Sequence, residues 1–205
     1  GLDAALQVSF GMMDELPERK PLFVPSDSKT YSEVQKSGYS YFKEGDVLLA
    51  KMTPCFENGK SGIATNLLNG IGFGSTEFYV LRTNGKVIPY WIYSIISSDS
   101  FLNMGKYNLV GTTGRRRLMK QFVENFEIPL PPIEEQKRIA AFFQSIDTTI
   151  EQCEQQEGKL KRLRSKLAND LVKPEPEFGN LLTSENCKPV TLADLANEMR
   201  ESTKN

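Results

Sequence analysis

Apolar and polar positions divide this chain into two regimes. In residues 1–132 the apolar residues fall in short runs separated by turn formers. Gly45-Asp46-Val47-Leu48-Leu49-Ala50-Lys51, Glu77-Phe78-Tyr79-Val80-Leu81-Arg82 and residues 123–130 read as β-strands. Glu57-Asn58-Gly59-Lys60, Leu68-Asn69-Gly70 and Thr83-Asn84-Gly85 read as turns between strands. Residues 89–104 predict one helix, with Pro89 near its start and Gly105 as its stop. This part is predicted to be an α+β domain: a twisted antiparallel sheet, partly barrel-like, with a few helices.

From residue 133 the period changes. Pro131-Pro132 ends the preceding segment and opens a helix, and the next proline is Pro174. The helix therefore has room for about 40 residues, roughly 60 Å. Ile139, Phe143, Ile146, Ile150, Cys153, Glu157, Leu160, Arg164, Leu167 and Leu171 recur at alternating steps of three and four. Most are apolar, which is a coiled-coil seam with a polar break near Glu157-Gly158. One long seam does not fit against one small domain. It calls for a second long helix from another copy or another chain, or else for folding back on its own domain. Residues 173–205 begin as a linker, Lys173-Pro174-Glu175-Pro176-Glu177, and continue into a short helix capped by Thr191 with Leu192, Leu195 and Met199 on one face. The expected layout is an α+β domain at 1–132, a long helix at 133–172, and a terminal segment at 173–205.

Composition removes several function classes. Among the 205 residues there is no histidine, so Ser-His-Asp and Cys-His catalysis and most zinc sites are excluded. Three scattered cysteines, Cys55, Cys153 and Cys187, form no Cys-x-x-Cys pair and suit a reducing compartment. No stretch approaches the ~18–20 apolar residues of a membrane-crossing helix, and no export signal layout opens the chain. A cytoplasmic location is expected, with no membrane contact. The net charge of −1 argues against a bulk polyanion binder but leaves room for a local basic patch.

No catalytic constellation emerges. Cys55 lacks a histidine base and reads as a packed or surface thiol. Glu18-Arg19-Lys20 is a common charged string. Gly70-Ile71-Gly72-Phe73-Gly74 lacks nucleotide-loop spacing and reads as a tight turn with close backbone approach. Leu130-Pro131-Pro132-Ile133 has the prolines of an adenine-methyltransferase motif without its polar residue or ring. Gly111-Thr112-Thr113-Gly114-Arg115-Arg116-Arg117 carries more information. Glycines let backbone approach a phosphate, hydroxyls donate to it, and arginine forks pair with phosphate oxygens or a guanine edge. The alternative is a solvated basic loop. Lys159, Lys161, Arg162, Arg164 and Lys166 form a second basic run on the long helix, read as a solubilising face.

Four blocks in order, 42–60, 72–78, 111–117 and Ile128-Pro129-Leu130-Pro131-Pro132-Ile133-Glu134-Glu135-Gln136, resemble the DNA-specificity (S) subunit of type I restriction–modification systems. The resemblance covers about residues 8–172, one target-recognition domain and its following helix. It implies a non-catalytic, sequence-specific subunit that reads one half of a bipartite site in double-stranded DNA. Adenine methyltransferase (M) subunits carry the N6 methylation, and a translocase–nuclease (R) subunit joins some complexes. The subunit itself takes no cofactor or metal, with S-adenosylmethionine and ATP on the partners. The resemblance points to Arg115, Arg116, Arg117, Thr112 and Thr113 as DNA contacts, with Lys51, Thr53, Asn58 and Lys60 on or supporting that surface. Ile139, Phe143, Ile146, Ile150, Leu160, Leu167 and Leu171 would pair with a second helix, from another S half or a second copy.

The chain departs from the full pattern. It has one recognition domain and one long helix, so it is either part of a longer subunit or a half-size subunit that dimerises. The usual opening strand is missing, and a similar string, Val190-Thr191-Leu192-Ala193-Asp194-Leu195-Ala196, stands near the end. It opens a next repeat or completes this domain in circularly permuted order. Two rival readings remain: an oligomeric interaction module or decoy that binds no DNA, and a recognition-domain fragment of a fused single-chain restriction–modification enzyme.

Overall fold

Strand β5 (Val47–Ala50) is buried along its whole length, and its side chains alternate between two cores. Val47 and Leu49 enter one cluster, Leu48 and Ala50 another. That period of two across a doubly covered strand explains why 47–50 is apolar without interruption. The computed structural model describes residues 2–112 and 114–171. The expectations for Thr113 and for residues 172–205 lie outside them.

The elements run β1 (Gln7–Gly11), β2 (Leu22–Phe23), β3 (Asp27–Thr30), α1 (Tyr31–Val34), β4 (Ser40–Lys43), β5, β6 (Ser61–Ala64), a 3₁₀ turn (Leu68–Gly70), β7 (Ile71–Gly74), β8 (Phe78–Leu81), α2 (Pro89–Ile96), α3 (Asp99–Lys106), β9 (Leu109–Val110), β10 (Arg117–Leu118), α4 (Lys120–Asn125) and α5 (Ile133–Leu171). One sheet has the order β3-β1-β7-β4 and a second β2-β6-β5-β8; β9 and β10 form a hairpin. Neither four-stranded sheet closes on itself, so there is no closed barrel among the described residues. The sheets are also mixed rather than antiparallel throughout. β1 lies parallel to β7 (Ser9 opposite Gly72, Phe10 opposite Phe73), and β2 lies parallel to β6 (Leu22 opposite Ile63).

Three clusters hold these layers. Val8, Phe10, Val34 and Phe73 fill the space between α1 and the first sheet. Phe42 of the first sheet meets Phe23, Leu48, Ala64 and Phe78 of the second. Val47, Leu49, Phe56 and Ile63 pack on Tyr90, Tyr93, Ile96, Phe101 and Leu102 of α2 and α3.

Several expectations need correction. The 89–104 helix is two helices, because Ser98 caps α3 by accepting from the Phe101 N–H at 3.2 Å. Gly105 is an interior residue of α3, and a Cβ there would lie 2.3 Å from the Phe56 ring. Residues 123–130 form no strand. Phe122 of α4 and Phe126, the residue that follows the helix, pack on Phe101 at ring separations of 5.3 and 4.9 Å and hold α4 against α3. Ile71–Gly74 is an interior strand, not a tight turn, and Gly72 makes room for the Phe42 ring opposite it.

The chain falls into two compact units, Gly1–Asp147 and Thr148–Asn205. The head of α5 belongs to the first. There Gln136 and Ala140 are buried, and the Tyr90 hydroxyl donates to the Asp147 carboxylate. Burial, with that hydrogen bond, pushes the Tyr90 phenol pKa well above its ordinary value. In the second unit the described residues are helical, with Ile150, Leu160 and Leu163 exposed. No helix among the described residues is long and apolar enough to cross a membrane.

Candidate nucleic-acid interface

The β9–β10 hairpin carries the basic loop. Gly111 (φ 124°) and Gly114 (φ 84°) adopt left-handed backbone that shapes its tip. A Cβ on Gly111 would lie 2.9 Å from the Arg115 carbonyl, so the position admits only glycine. Gly111, Thr112, Gly114 and Arg115 are exposed.

The base of the hairpin is fastened to the domain. Leu118 is buried in the helix-side core, and its N–H donates to the Lys51 carbonyl at 2.7 Å. The Thr53 N–H donates to the Arg116 carbonyl at 2.9 Å, and the Arg116 N–H donates to Thr53 Oγ1 at 3.1 Å. The Tyr79 hydroxyl donates to the Leu118 carbonyl at 2.7 Å. Thr53 is 5% exposed. Its side chain therefore ties the loop after β5 to the hairpin.

Carboxylates hold two of the arginines. Arg117 donates to Glu77 through Nε at 2.9 Å and Nη2 at 2.5 Å. That fork holds the Glu77 carboxyl below the usual carboxylate range against the opposing effect of burial. Arg116 Nη2 donates to Glu57 at 3.2 Å. Lys51 Nζ donates to the Thr76 carbonyl at 2.8 Å and lies 5.0 Å from the Tyr79 ring centre. Burial lowers the Lys51 pKa, with Glu77 opposing. Among the described residues Arg115 has no carboxylate partner, and its side chain is open to solvent.

Lys51, Thr53, Thr112, Arg115, Arg116 and Arg117 thus converge on one hairpin and its support. Asn58 and Lys60 turn to another segment. Asn58 Nδ2 donates to Glu18 at 3.2 Å, and Lys60 Nζ donates to the carbonyls of Met13 and Asp14 at 3.0 and 3.1 Å. Cys55 packs, half-buried, against the inter-sheet core. Among the described residues no group of three or more His, Cys, Asp or Glu could hold a metal ion.

Sequence reasoning missed Glu57 and Glu77 as arginine partners. Their spacing from the arginines, 59 and 40 residues, hides the pairing. It also missed a visible signal. Residues 100–123 contain Lys106, Arg115, Arg116, Arg117 and Lys120 and no acidic residue. Gln136 was noted only as part of a motif. It is fully buried and engaged at every turn, accepting from the Ile88 N–H at 3.0 Å and donating to the Lys86 and Pro131 carbonyls at 3.1 and 2.8 Å.

Most of the described seam positions are open. Phe143, Ile146, Ile150 and Leu160 are exposed, Leu160 by 65%, whereas Ile139 and Leu167 are half-buried. Leu171 ends α5.

The family model described as "Type I restriction modification DNA specificity domain" matches residues 16–162. The EcoAI specificity subunit of Escherichia coli, a type I restriction enzyme subunit, is 40% identical over 129 residues, 62% of this chain and 22% of that protein. The EcoEI specificity subunit of Escherichia coli is 37% identical over 155 residues, 75% of this chain and 26% of that protein. The chain therefore spans about a quarter of these relatives. The HsdS subunit of Thermoanaerobacter tengcongensis superposes with a TM-score of 0.61 at 20% identity, covering 88% of this chain and 46% of that one, a likeness of fold.

Proposed function

The chain belongs to the type I restriction modification DNA specificity domain family, and on that premise we propose that it reads one half of a bipartite duplex DNA site and aims adenine-N6 methylation there. It is non-catalytic and cytoplasmic. S-adenosylmethionine is used by methyltransferase subunits bound to it, and ATP by a translocase–nuclease subunit that joins them. The observation that carries this reading is the family match over 147 consecutive residues, which includes the basic hairpin.

Residues 1–132 act as the recognition domain, 133–172 as the pairing helix and 173–205 as a terminal segment. Thr112, Thr113 and Arg115 contact the DNA directly. Arg116 and Arg117 contribute from their carboxylate-held positions, and Lys51 and Thr53 support the hairpin. Asn58 and Lys60 brace the surface behind it. The exposed seam of α5 pairs with a second long helix, from another specificity half or a second copy. Charge along α5 supports antiparallel pairing. Residues 139–158 carry Asp147, Glu151, Glu154 and Glu157 and no cation; residues 159–169 carry Lys159, Lys161, Arg162, Arg164 and Lys166 and no acid. Antiparallel partners set opposite charges side by side, whereas parallel partners set like on like.

The test is methylation in cells. The chain is co-expressed with the methyltransferase subunit encoded beside it, and N6-methyladenine is mapped across the host genome by native-strand sequencing. A split motif that appears only with this chain is expected. An assembled complex that adds no chain-dependent methylation would overturn the proposal.

A further inference from the structure

The surface beside the hairpin carries exposed large side chains. Tyr107, at the C-cap of α3, is 91% exposed. Met104, one turn before it, and Val110, in β9, are exposed as well. The backbone around Tyr107 is fixed. Its N–H donates to the Met104 carbonyl at 3.2 Å, the Asn108 N–H to Gly105 at 2.8 Å, and the Met119 N–H to Asn108 at 3.0 Å. The ring is therefore held in water on a rigid support. Exposed apolar groups so placed mark a binding surface.

Charge identifies what binds. These residues lie within the acid-free stretch 100–123. Of the carboxylates that neighbouring elements bring to it, Glu57 is paired with Arg116, Glu77 with Arg117 and Glu124 with Lys120, while Glu127 lines the groove beside Met104 and Asn108. Lys106 bonds the uncharged Asn103 amide, and Arg115 faces solvent. Lys106 and Arg115 thus leave a surplus of positive charge in the segment that carries the ring. Duplex DNA complements both, with phosphates for the cations and thymine methyls and sugar edges for the ring.

We propose that Tyr107 is a DNA-contacting residue of the recognition domain, packing its ring against a base edge or sugar while Arg115 anchors the neighbouring phosphate. This deepens the function proposed above and rests on it. The contact belongs to the ring and does not need the hydroxyl.

The test uses the full chain assembled with its methyltransferase subunit and a duplex carrying the split motif mapped in cells. Binding is measured from low to moderate salt for wild type, Tyr107→Ala, Tyr107→Phe and Arg115→Ala. Tyr107→Ala is expected to weaken binding roughly tenfold or more without changing the salt dependence. Tyr107→Phe is expected to stay within about twofold of wild type, as an apolar contact requires. Arg115→Ala is expected to reduce the slope of log affinity against log salt by about one. Because the ring is solvated in the free chain, thermal stability reports whether Tyr107→Ala folds normally. Unchanged affinity in Tyr107→Ala overturns the inference while wild-type binding keeps the function. Loss of complex assembly in that variant assigns the ring to the protein partner and also overturns the inference. A wild-type complex that maps no motif and binds no duplex overturns the function and the inference together.

Discussion

The side-chain amide of Gln136, in the first turn of α5, accepts a hydrogen bond from the Ile88 N–H at the head of α2. The same amide donates to the Lys86 and Pro131 carbonyls, so one buried group joins the entrances of two helices. Gln136→Leu removes it and leaves one part-buried N–H and two carbonyls without that partner. A loss of about 2–4 kcal/mol is expected, measured by urea denaturation of the full chain. Gln136→Glu is expected to be worse, because a carboxylate cannot donate to either carbonyl.

Gly105 is the second tight position. The Phe56 ring occupies the place of a side chain there, so Gly105→Ala should destabilise by roughly 1–3 kcal/mol. Combining it with Phe56→Leu should recover part of that loss, since the two side chains contend for one volume. Thermal melts of the two single variants and the double variant check the coupling.

Arg116 pairs with Glu57 in a half-exposed bridge. Such pairs contribute about 0–1 kcal/mol to folding, so Arg116→Glu is expected to keep a near-normal melting temperature. Binding to the motif duplex in the assembled complex should fall roughly 10- to 100-fold. Retained site-specific methylation by this variant would remove Arg116 from the DNA surface.

The hairpin has an acid-sensitive fastening. The Arg117 fork holds Glu77 below its ordinary value of 4.5. A depressed carboxyl contributes stability that is complete above the unfolded pKa and is lost as pH falls through the folded one. Amide exchange at Leu118 and Arg116 should therefore quicken as pH drops below about 4.5, after correction for intrinsic rates. Glu77→Gln should abolish that pH response and show faster exchange at neutral pH.

The exposed seam predicts association. Ile146→Asp together with Leu160→Asp puts charge into the helix-pairing stripe. Sedimentation analysis should show dimer giving way to monomer, with the domain's melting unchanged. A wild-type chain that is monomeric at all concentrations would assign the seam to a helix from a different chain.

What the residues announced depends on how local the cause is. β5 and β8 were legible because apolar runs sit between Gly, Asn and Pro. The start of α5 was legible because Pro131-Pro132 cannot continue a ladder. The break between α2 and α3 was not, since the apolar pattern runs on through Ser97-Ser98 and only the Ser98 cap interrupts the backbone. Val123, Phe126, Ile128 and Leu130 read locally as a strand, but Phe101, 21 residues upstream of Phe122, supplies the packing partner of Phe122 in α4 and of Phe126 after it. Within the site, the tip of the hairpin could be read from Gly, Thr and Arg. The roles of Lys60 and Asn58 could not, because their partners lie 40 to 47 residues away. The parallel pairings were equally hidden, since nothing local in Ser9-Phe10 names Gly72-Phe73 as its neighbour.

Those parallel pairings also bear on how the domain is made. Ser9 cannot meet Gly72 until 63 further residues have been synthesised. At about 5–20 residues per second, β1 waits roughly 3–13 s for its parallel partner β7. During that interval Val8 and Phe10 lack the Phe73 that completes their cluster. Translation speed across residues 11–74 therefore sets how long an apolar strand stays open to mispairing, and synonymous codons in that window become determinants of yield.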